Sequence, residues 1–427
     1  MRRIKKIAII GFGSRGHLFA DFIKENNDVE LVAVVDVLDL QLEDAVKNYN
    51  INPKMCFKNY KDFYKLGKVA DGLIIATQDK EHLEHILPAF EIGYDILLEK
   101  PAATTLEDCL KIKELAHKYN RKVMICHVLR YTHFFSKIKQ LIDNNLIGDI
   151  VNINLTENVG YWHQAHSFVR GAWRNKEQSS PMILAKCCHD LDIIASLINK
   201  KCTHISSFGG LYHFKKENAP EKSAEWCVDC SIKDECPFNC FPFYRKYKSN
   251  ILGSNSLIKG RSSNDVDEIL SSKENNYGRC VYQCDNNVVD HQIVNMQFEG
   301  AVTAHLTMTA FSDQCYRKIN IHGTMGEIYG ILEENKIYYS RYISSTSANY
   351  TGFQEMIDLT LTCDDFSCHG GGDKLLLEDF LNLIDSNDRA KALTTIDNSI
   401  MSHLMCFAAE KSRLENGKVV FIDDYKL

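Results

Sequence analysis

The 427-residue chain has 45% hydrophobic and 25% charged residues, which is the composition of an ordinary globular protein. A net charge of −6 disfavours nucleic acid or an anionic membrane as the main partner, and no uninterrupted apolar run reaches the ~20 residues that cross a bilayer. The length predicts two domains, and sixteen cysteines without an export signal predict reduced thiols in the cytoplasm rather than a disulfide framework.

The first predicted strand, residues 7–10, ends in a glycine-rich turn that opens a helix. The turn consists of Gly11, Phe12, Gly13, Ser14, Arg15 and Gly16. Gly11 permits the sharp turn, Gly13 leaves room for a pyrophosphate, and Gly16 lets the helix pack close to the strand. Free N–H groups at the helix N-terminus then face the phosphates. This pattern predicts a dinucleotide site.

An acidic residue, Asp36, ends the next predicted strand, 20 residues after Gly16. A carboxylate at this position binds the ribose 2′-hydroxyl of NAD and repels the 2′-phosphate of NADP. The sequence therefore predicts NAD as the cofactor, with NADP disfavoured.

Strands and helices alternate as far as residue 127. Buried strands are predicted at 72–76, 95–99 and 122–127, and helices at 38–49, 77–93 and 105–119. This alternation is typical of βαβ units and a parallel sheet, whose ligands bind beyond the carboxyl ends of the strands. Thr77, Glu99, Lys100 and His127 are therefore expected around one crevice with the glycine-rich turn.

After about residue 128 the pattern changes to alternating strands at 150–157, 205–212, 288–298, 301–311 and 318–323. Helices are predicted at 134–144, 181–199 with Ser180 as N-cap, 374–384 and 398–415. This order predicts an α/β Rossmann domain over residues 1–128, then an α+β domain with a largely antiparallel open sheet over 129–427. A cysteine-rich insert spans 226–241, and 245–278 are predicted to be a loop or partly disordered.

Several short motifs carry a resemblance to the Gfo/Idh/MocA oxidoreductases. They are the glycine-rich turn, Ala76-Thr77 with His82, Glu99-Lys100-Pro101, Arg130-Tyr131, Gly148-Asp149-Ile150 and His189-Asp190-Leu191-Asp192. The resemblance runs essentially from end to end and implies NAD(P)-dependent hydride transfer at a secondary alcohol of a sugar, inositol or related polyol. It also implies that His82 binds the cofactor and that Arg130 and Asp190 bind the substrate.

Lys100, Lys186 and His189 are the predicted catalytic residues. A lysine at the end of a buried strand, beside a proline, can orient and polarise a substrate hydroxyl. On one helix Lys186 and His189 would point the same way, and the histidine could take the hydroxyl proton. Ala185 stands where the family has an aspartate four residues before this histidine, so Lys186 or Asp190 would have to compensate.

A segment between a strand and a helix is predicted to form the wall of the substrate pocket, because Trp offers a flat face to a sugar and Arg offers forked donors to its hydroxyls. The wall residues are Trp162, His163, His166, Arg170, Trp173 and Arg174. His163 and His166 could instead bind a metal with His189.

Four cysteines within fourteen residues form a further candidate site. Cys227, Cys230, Cys236 and Cys240 could hold a structural zinc, an iron–sulfur cluster fits the same ligand count, and reduced or disulfide-linked cysteines are the other alternative. The loop 369–373, His-Gly-Gly-Gly-Asp, is a weaker signal near the predicted active site.

We predict an NAD-dependent oxidoreductase acting on a sugar, cyclitol or polyol. A redox-assisted glycosidase or lyase with tightly bound NAD, and a non-catalytic NAD-binding regulator, are the alternatives. Apolar residues predicted on both faces of strands 288–298 and 301–311 further predict a homo-oligomer, most simply a dimer, joined through the second domain.

Overall fold

The computed structural model describes residues 3–252, 263–343, 352–361 and 367–425, which fold around two β-sheets. The strands of the first sheet are β1 Lys5–Ile10, β2 Val29–Val35, β3 Cys56–Phe57, β4 Gly72–Ile75, β5 Asp95–Leu98 and β6 Val123–Ile125. The helices between them are α1 Ser14–Glu25, α2 Asp39–Tyr49, α3 Tyr60–Tyr64, α4 His82–Ile92 and α5 Leu106–Lys118.

The first sheet is parallel, with the strand order β3-β2-β1-β4-β5-β6. Its central strands are buried on both faces, as the continuous apolar runs predict, because helices cover both sides of a parallel sheet. The strand order reverses direction at β1 and β4, and the crevice beyond the carboxyl ends of these two strands is where such folds bind ligands. The predicted Rossmann fold is confirmed.

The second sheet has nine strands in the order β14-β13-β12-β11-β7-β10-β9-β8-β15. In chain order they are β7 Ile150–Asn158, β8 Cys202–Gly210, β9 His291–Phe298, β10 Thr303–Thr309, β11 Tyr316–Gly323, β12 Gly326–Ile331, β13 Lys336–Arg341, β14 Glu355–Asp358 and β15 Val420–Phe421. Among the described pairings only β10 and β7 run parallel, so the sheet is mixed and mostly antiparallel, as expected.

The helices that accompany this sheet are α6 His133–Asp143, α7 Tyr161–His163, α8 Met182–Ala185, α9 Cys188–Ile198, α10 Cys240–Lys246, α11 Ser249–Leu252, α12 Val266–Ser271, α13 Ser367–Gly370, α14 Gly372–Asp385 and α15 Ile396–Leu414. A π-helical segment, Gln164–Arg170, continues α7. Although α14 lies near the end of the chain, its apolar face packs into the core of the first sheet, where Leu376 and Phe380 join Ile7 and Ile9. The C-terminal part of the chain therefore helps to enclose the first sheet.

One predicted helix is two helices in the structure. Residues 181–199 were expected to form a single helix, but α8 ends at Ala185 and α9 begins at Cys188. Cys187, with ψ of 5°, leaves the helical path, and its carbonyl starts the hydrogen bonds of α9. Pro181 rather than Ser180 occupies the N-cap position of α8. Part of the predicted loop 245–278 is helical, in α11 and α12, and 253–262 lie outside the described residues.

The outward positions of β9 and β10 are largely polar, which corrects the expectation of apolar residues on both faces of these two strands. The inward positions of β9 and β10, such as Val294 and Leu306, are buried in the core. The outward positions on these strands are His291, Ile293, Asn295, Gln297, Thr303, His305, Thr307 and Thr309. Strict alternation separates the two sets, and on these two strands only Ile293 brings a large apolar side chain to the outer face.

Candidate functional site

The turn between β1 and α1 has the geometry of a phosphate site. Gly11 has a φ of +90°, and a Cβ there would lie 2.5 Å from the carbonyl oxygen of Ala76. A Cβ on Gly16 would lie 2.3 Å from the carbonyl oxygen of Gly11. Around Gly13, by contrast, no atom lies within 4 Å of the Cβ position, and no side chain caps the N-terminus of α1. The free backbone N–H groups at the N-terminus of α1 therefore face an open space next to Gly13, and this arrangement suits the binding of an anion.

Asp36 is held in place at the edge of this turn. Its Oδ2 accepts a hydrogen bond from the N–H of Phe12 at 2.7 Å, and its Oδ1 accepts one from the N–H of Leu38 at 2.9 Å. The carboxylate is therefore fixed at the end of β2, beside the open space at Gly13. These features together fit a dinucleotide with a free ribose hydroxyl.

Arg15 and Glu99, both predicted to contact the cofactor, pair with each other. Arg15 Nε lies 2.5 Å from Glu99 Oε1, and Arg15 Nη2 lies 2.7 Å from Asp373 Oδ1. Asp373, at the start of α14, is completely buried. The three residues form a continuous charged chain that connects the glycine-rich turn, the end of β5 and the C-terminal helix.

His82, predicted to bind the cofactor, lies between the turn after β5 and Thr77 at the end of β4. It is the first residue of α4 and is completely buried, and its Nδ1 lies 2.9 Å from the carbonyl oxygen of Pro101. Through these contacts His82 supports the loop that carries Lys100, and its role in cofactor binding stays a prediction. Thr77 is partly exposed, and its hydroxyl lies 3.0 Å from His85 Nδ1.

Lys100 extends from the end of β5 to the second half of the chain. Its Nζ donates a 2.8 Å hydrogen bond to the carbonyl oxygen of Ala185. Ala185 stands where the family has an aspartate, and its backbone carbonyl takes the place of the aspartate side chain as the hydrogen-bond partner of the ammonium. Burial first, and then the charge of Lys100, hold the pKa of His189 well below its ordinary value. His189 is therefore a neutral imidazole beside a cation, and its buried Nδ1 has no hydrogen-bond partner among the described residues.

Lys186 belongs to a buried charge cluster on the second sheet. Its Nζ lies 3.2 Å from Glu157 Oε1, and Arg317 Nε lies 3.0 Å from Glu157 Oε2 and 2.8 Å from Asp190 Oδ1. The break between α8 and α9 separates Lys186 from the stripe that contains His189, so the expected common face does not exist. Lys186 is committed to Glu157 instead.

Glu157 and Arg317 are site residues that the motif analysis missed. Glu157 has the same parity on β7 as the buried Ile153 and Leu155, and Arg317 has the same parity on β11 as Ile319. A charged residue at an inward position of an alternating strand was the signal that could have revealed them, because burial of a charge requires a partner.

Asp190 is completely enclosed and not open to a substrate as predicted. Burial is the main cause that raises its pKa to about 6, and the charge of Arg317 opposes this rise. Arg130, also predicted to bind substrate, makes two 2.6 Å hydrogen bonds to the buried carboxylate of Asp192. Both residues are structural ion-pair partners in this arrangement, because each buried carboxylate requires a guanidinium beside it.

Of the predicted pocket wall, His163 lies near the lysines. Burial, followed by the charge of Lys186, lowers its pKa well below the ordinary value, and Lys100 contributes to the same effect. Trp162 lies against His163, with ring centroids 5.5 Å apart and planes at 23°. Trp173 donates from Nε1 to Asp79 Oδ2 at 3.3 Å, between the two halves of the chain.

The other three wall residues have partners within the protein, and their role in substrate binding stays a prediction. His166 Nδ1 lies 2.8 Å from the hydroxyl of Tyr244, and Arg174 pairs with Asp285 at 2.7 Å. Arg170 is buried and donates to the carbonyl oxygens of Arg279 and Phe238, each at 2.8 Å. The insert after β8 supplies most of these partners, and its position is not evident from the linear sequence.

The cysteine-rich insert contains thiols but no metal site among the described residues. All four predicted ligands are described, and no group of three or more His, Cys, Asp or Glu side chains in the described chain is arranged to hold a metal ion. Cys227 Sγ lies 3.7 Å from Arg170 Nη2. A hydrogen bond with Cys240 is the main cause that lowers the pKa of Cys227 to about 5, burial opposes it, and Arg170 adds to the lowering. The structure thus places the Cys227 sulfur beside a buried cation and gives the zinc prediction no support.

The loop at 369–373 comes to the same site. The ring of His369 lies 6.4 Å from that of His189, centroid to centroid, and His369 Nδ1 lies 2.8 Å from Asp373 Oδ2.

Among the described helices, none combines the length and the apolar character that a membrane span requires.

Comparison with known proteins yields matches over nearly the whole chain. Residues 5–127 match the family model for the NAD-binding Rossmann fold of an oxidoreductase family, and residues 139–421 match that for its C-terminal alpha/beta domain. YteT of Bacillus subtilis (strain 168) is 24% identical over 392 residues, which are 88% of each chain. Glucose-6-phosphate 3-dehydrogenase of the same organism is 30% identical over 152 residues, 36% of this chain and 42% of that enzyme.

The fold is also similar to that of solved structures. The scyllo-inositol dehydrogenase of Lactobacillus casei, solved with NAD(H) and scyllo-inositol, superposes with a TM-score of 0.64 at 18% identity. The superposition covers 99% of this chain and 100% of that one.

Proposed function

Because the chain belongs to the Gfo/Idh/MocA oxidoreductase family, whose two domain models cover most of it, we propose that it transfers a hydride between NAD and a secondary hydroxyl of a sugar, cyclitol or related polyol. It is an NAD(P)-dependent oxidoreductase that acts on CH–OH groups. The observation that supports this substrate class most is the position of Lys100, at the end of β5 and beside two neutral histidines.

The bound cofactor supplies the hydride acceptor for alcohol oxidation. The chain's own residues bind and orient the alcohol. The ammonium of Lys100, held by the carbonyl of Ala185, donates a hydrogen bond to the substrate hydroxyl and stabilises negative charge that develops on its oxygen. His163 and His189, both neutral, offer nitrogen atoms to neighbouring hydroxyls of a polyol without repelling Lys100.

Spectroscopy tests this function directly. Purified protein is incubated with NAD and, separately, scyllo-inositol, myo-inositol or glucose 6-phosphate, and the absorbance of the reduced cofactor is followed. We expect a net increase with at least one of these compounds. Turnover of a glycoside without added NAD would instead favour the redox-assisted glycosidase or lyase. Binding of NAD without any turnover would favour a regulator.

Three further properties are proposed with this function. The fixed carboxylate of Asp36 supports NAD over NADP. The abundance of cysteines supports a reducing, cytoplasmic location. The wide outer face of the nine-stranded sheet, where the exposed side chains of Phe208 on β8 and Ile293 on β9 lie side by side, supports a homo-oligomer formed through the second domain, most simply a dimer. Light scattering measures the last of these, and a monomer of 48.8 kDa would contradict it.

A further inference from the structure

A histidine and a buried carboxylate form a dyad at the start of α14. His369 Nδ1 lies 2.8 Å from Asp373 Oδ2, and the other oxygen of Asp373 accepts from Arg15 Nη2 at 2.7 Å. The side chain of Asp373 is completely buried, whereas that of His369 is 46% exposed. The arrangement therefore presents an imidazole to the crevice with a carboxylate behind it.

An unusual backbone path aims this imidazole. His369, Gly370 and Gly371 have φ values of +52°, +62° and +81°, in the left-handed region. The next residue, Gly372, sits so close to the turn after β6 that a Cβ there would lie 2.5 Å from the carbonyl oxygen of Val128. A helix start pressed against the first sheet therefore brings His369 to the site of Lys100 and His189. Consistent with that proximity, His369 is among the charges that act on His189.

The two histidines at the site differ in their hydrogen-bond partners. His189 is buried, its Nδ1 has no hydrogen-bond partner among the described residues, and the adjacent cation of Lys100 opposes its protonation. The Nδ1–H of His369 donates to a carboxylate, which leaves the lone pair on Nε2 and stabilises the imidazolium that forms when Nε2 takes a proton.

We propose that His369 is a catalytic residue, whose Nε2 takes the proton of the substrate hydroxyl during oxidation, and that Asp373 positions it. The inference rests on the proposed function. The alcohol loses a hydride from carbon and a proton from oxygen, and a ketone remains. The proton passes to Nε2 of His369 and then to solvent, because this side chain is half exposed. In the reverse direction the imidazolium returns the proton to the alkoxide oxygen.

The test uses His369→Gly in the full chain. Glycine adopts a φ of +52° without strain, so the turn is kept, and the removed ring leaves an accessible space. With NAD and the best polyol from the panel above, we expect kcat to fall about 100-fold or more, as general-base removal typically does. Added imidazole should restore turnover in proportion to its concentration, which a purely structural role would not allow.

A second measurement does not depend on turnover. Titration calorimetry with the same polyol should show weaker binding to His369→Gln, because the hydrogen bond to Nε2 is lost, while the affinity for NADH alone stays within about threefold. The matched control is His117→Gln. His117 is likewise about half exposed and bonded to a carboxylate, at 2.8 Å from Asp397, but lies on α5 away from the crevice. It should retain wild-type turnover and polyol binding.

The outcomes separate this inference from the proposed function. If wild-type protein oxidises a polyol and His369→Gly loses less than about tenfold in kcat, or imidazole gives no rescue, the assignment of His369 is wrong and the function stands. If wild-type protein neither binds nor oxidises any polyol of the panel, the proposed function fails and the role of His369 fails with it.

Discussion

Selection against NADP should depend on a single fixed carboxylate. We expect Asp36→Asn to relax this selection, because the amide removes the charge while its oxygen can still accept one of the two backbone N–H groups, from Phe12 or Leu38. In the wild type those two hydrogen bonds prevent the carboxylate from rotating away when a 2′-phosphate approaches. The repulsion therefore cannot be relieved locally.

The size of the repulsion between the Asp36 carboxylate and the 2′-phosphate follows from Coulomb's law. Two like unit charges about 4 Å apart interact with about 4 kcal/mol at an effective dielectric constant of ~20. Asp36 is partly exposed, so water and salt reduce this value, and about 1.4–2.8 kcal/mol is a reasonable expectation. That free energy corresponds to a preference for NADH over NADPH of about 10- to 100-fold.

Calorimetric titration of both cofactors, at low and at high salt, measures the preference. Asp36→Asn should bind NADPH about tenfold more tightly than the wild type, and the gain should shrink in high salt. Asp39→Asn is the matched control, because it removes the same charge three residues away from an exposed side chain that pairs with Lys58. Equal affinities of the wild type for the two cofactors, or an equal shift in the control, would refute the reasoning.

Three other substitutions give direct tests. Lys100→Ala should abolish polyol oxidation while the NADH affinity in a fluorescence titration stays within about threefold, because we propose that the ammonium contacts the alcohol and not the phosphates; near-normal kcat would contradict this. Arg317→Met should lower the free energy of unfolding in urea by about 3–5 kcal/mol, because Glu157 and Asp190 remain buried without it. Burial raises the pKa of Asp190 to about 6, above its unfolded value near 3.8, so the folded protein binds a proton at Asp190 as the pH falls from 7 toward 4. A protonated Asp190 no longer needs Arg317, so the loss of unfolding free energy caused by Arg317→Met should become smaller over this pH range. A constant or growing loss would contradict this. Gly16→Ala should weaken NADH binding at least tenfold, since its Cβ would lie 2.3 Å from a backbone oxygen of the same turn, and unchanged affinity would show that the turn can adapt.

Local patterns in the sequence were sufficient for the two-sheet architecture and for the glycine-rich turn. Apolar runs and glycine spacing depend on neighbours along the chain, so the strand before Gly11, the turn through Gly16 and the acid at Asp36 could be read directly. The parallel and mostly antiparallel halves followed from the same periodicities and are confirmed.

The partners of the charged residues were decided by tertiary structure alone. Sequence shows that Arg15, Arg130 and Arg170 are cations, but not which group faces each of them. Arg15 pairs with an aspartate that lies 358 residues later in the chain, and Arg130 with one 62 residues later. A buried charge must find a compensating group, and packing determines whether that group is a protein side chain or a ligand.

Tertiary structure alone also decided where the histidines of the site lie. Sequence spacing placed His189 on a helical stripe with Lys186, but the break between α8 and α9 separates them. His369, a weak signal in the sequence, reaches the site because α14 packs against the first sheet. Helix periodicity determines which residues share a face. Long-range packing determines which faces meet, and no local pattern contains that information.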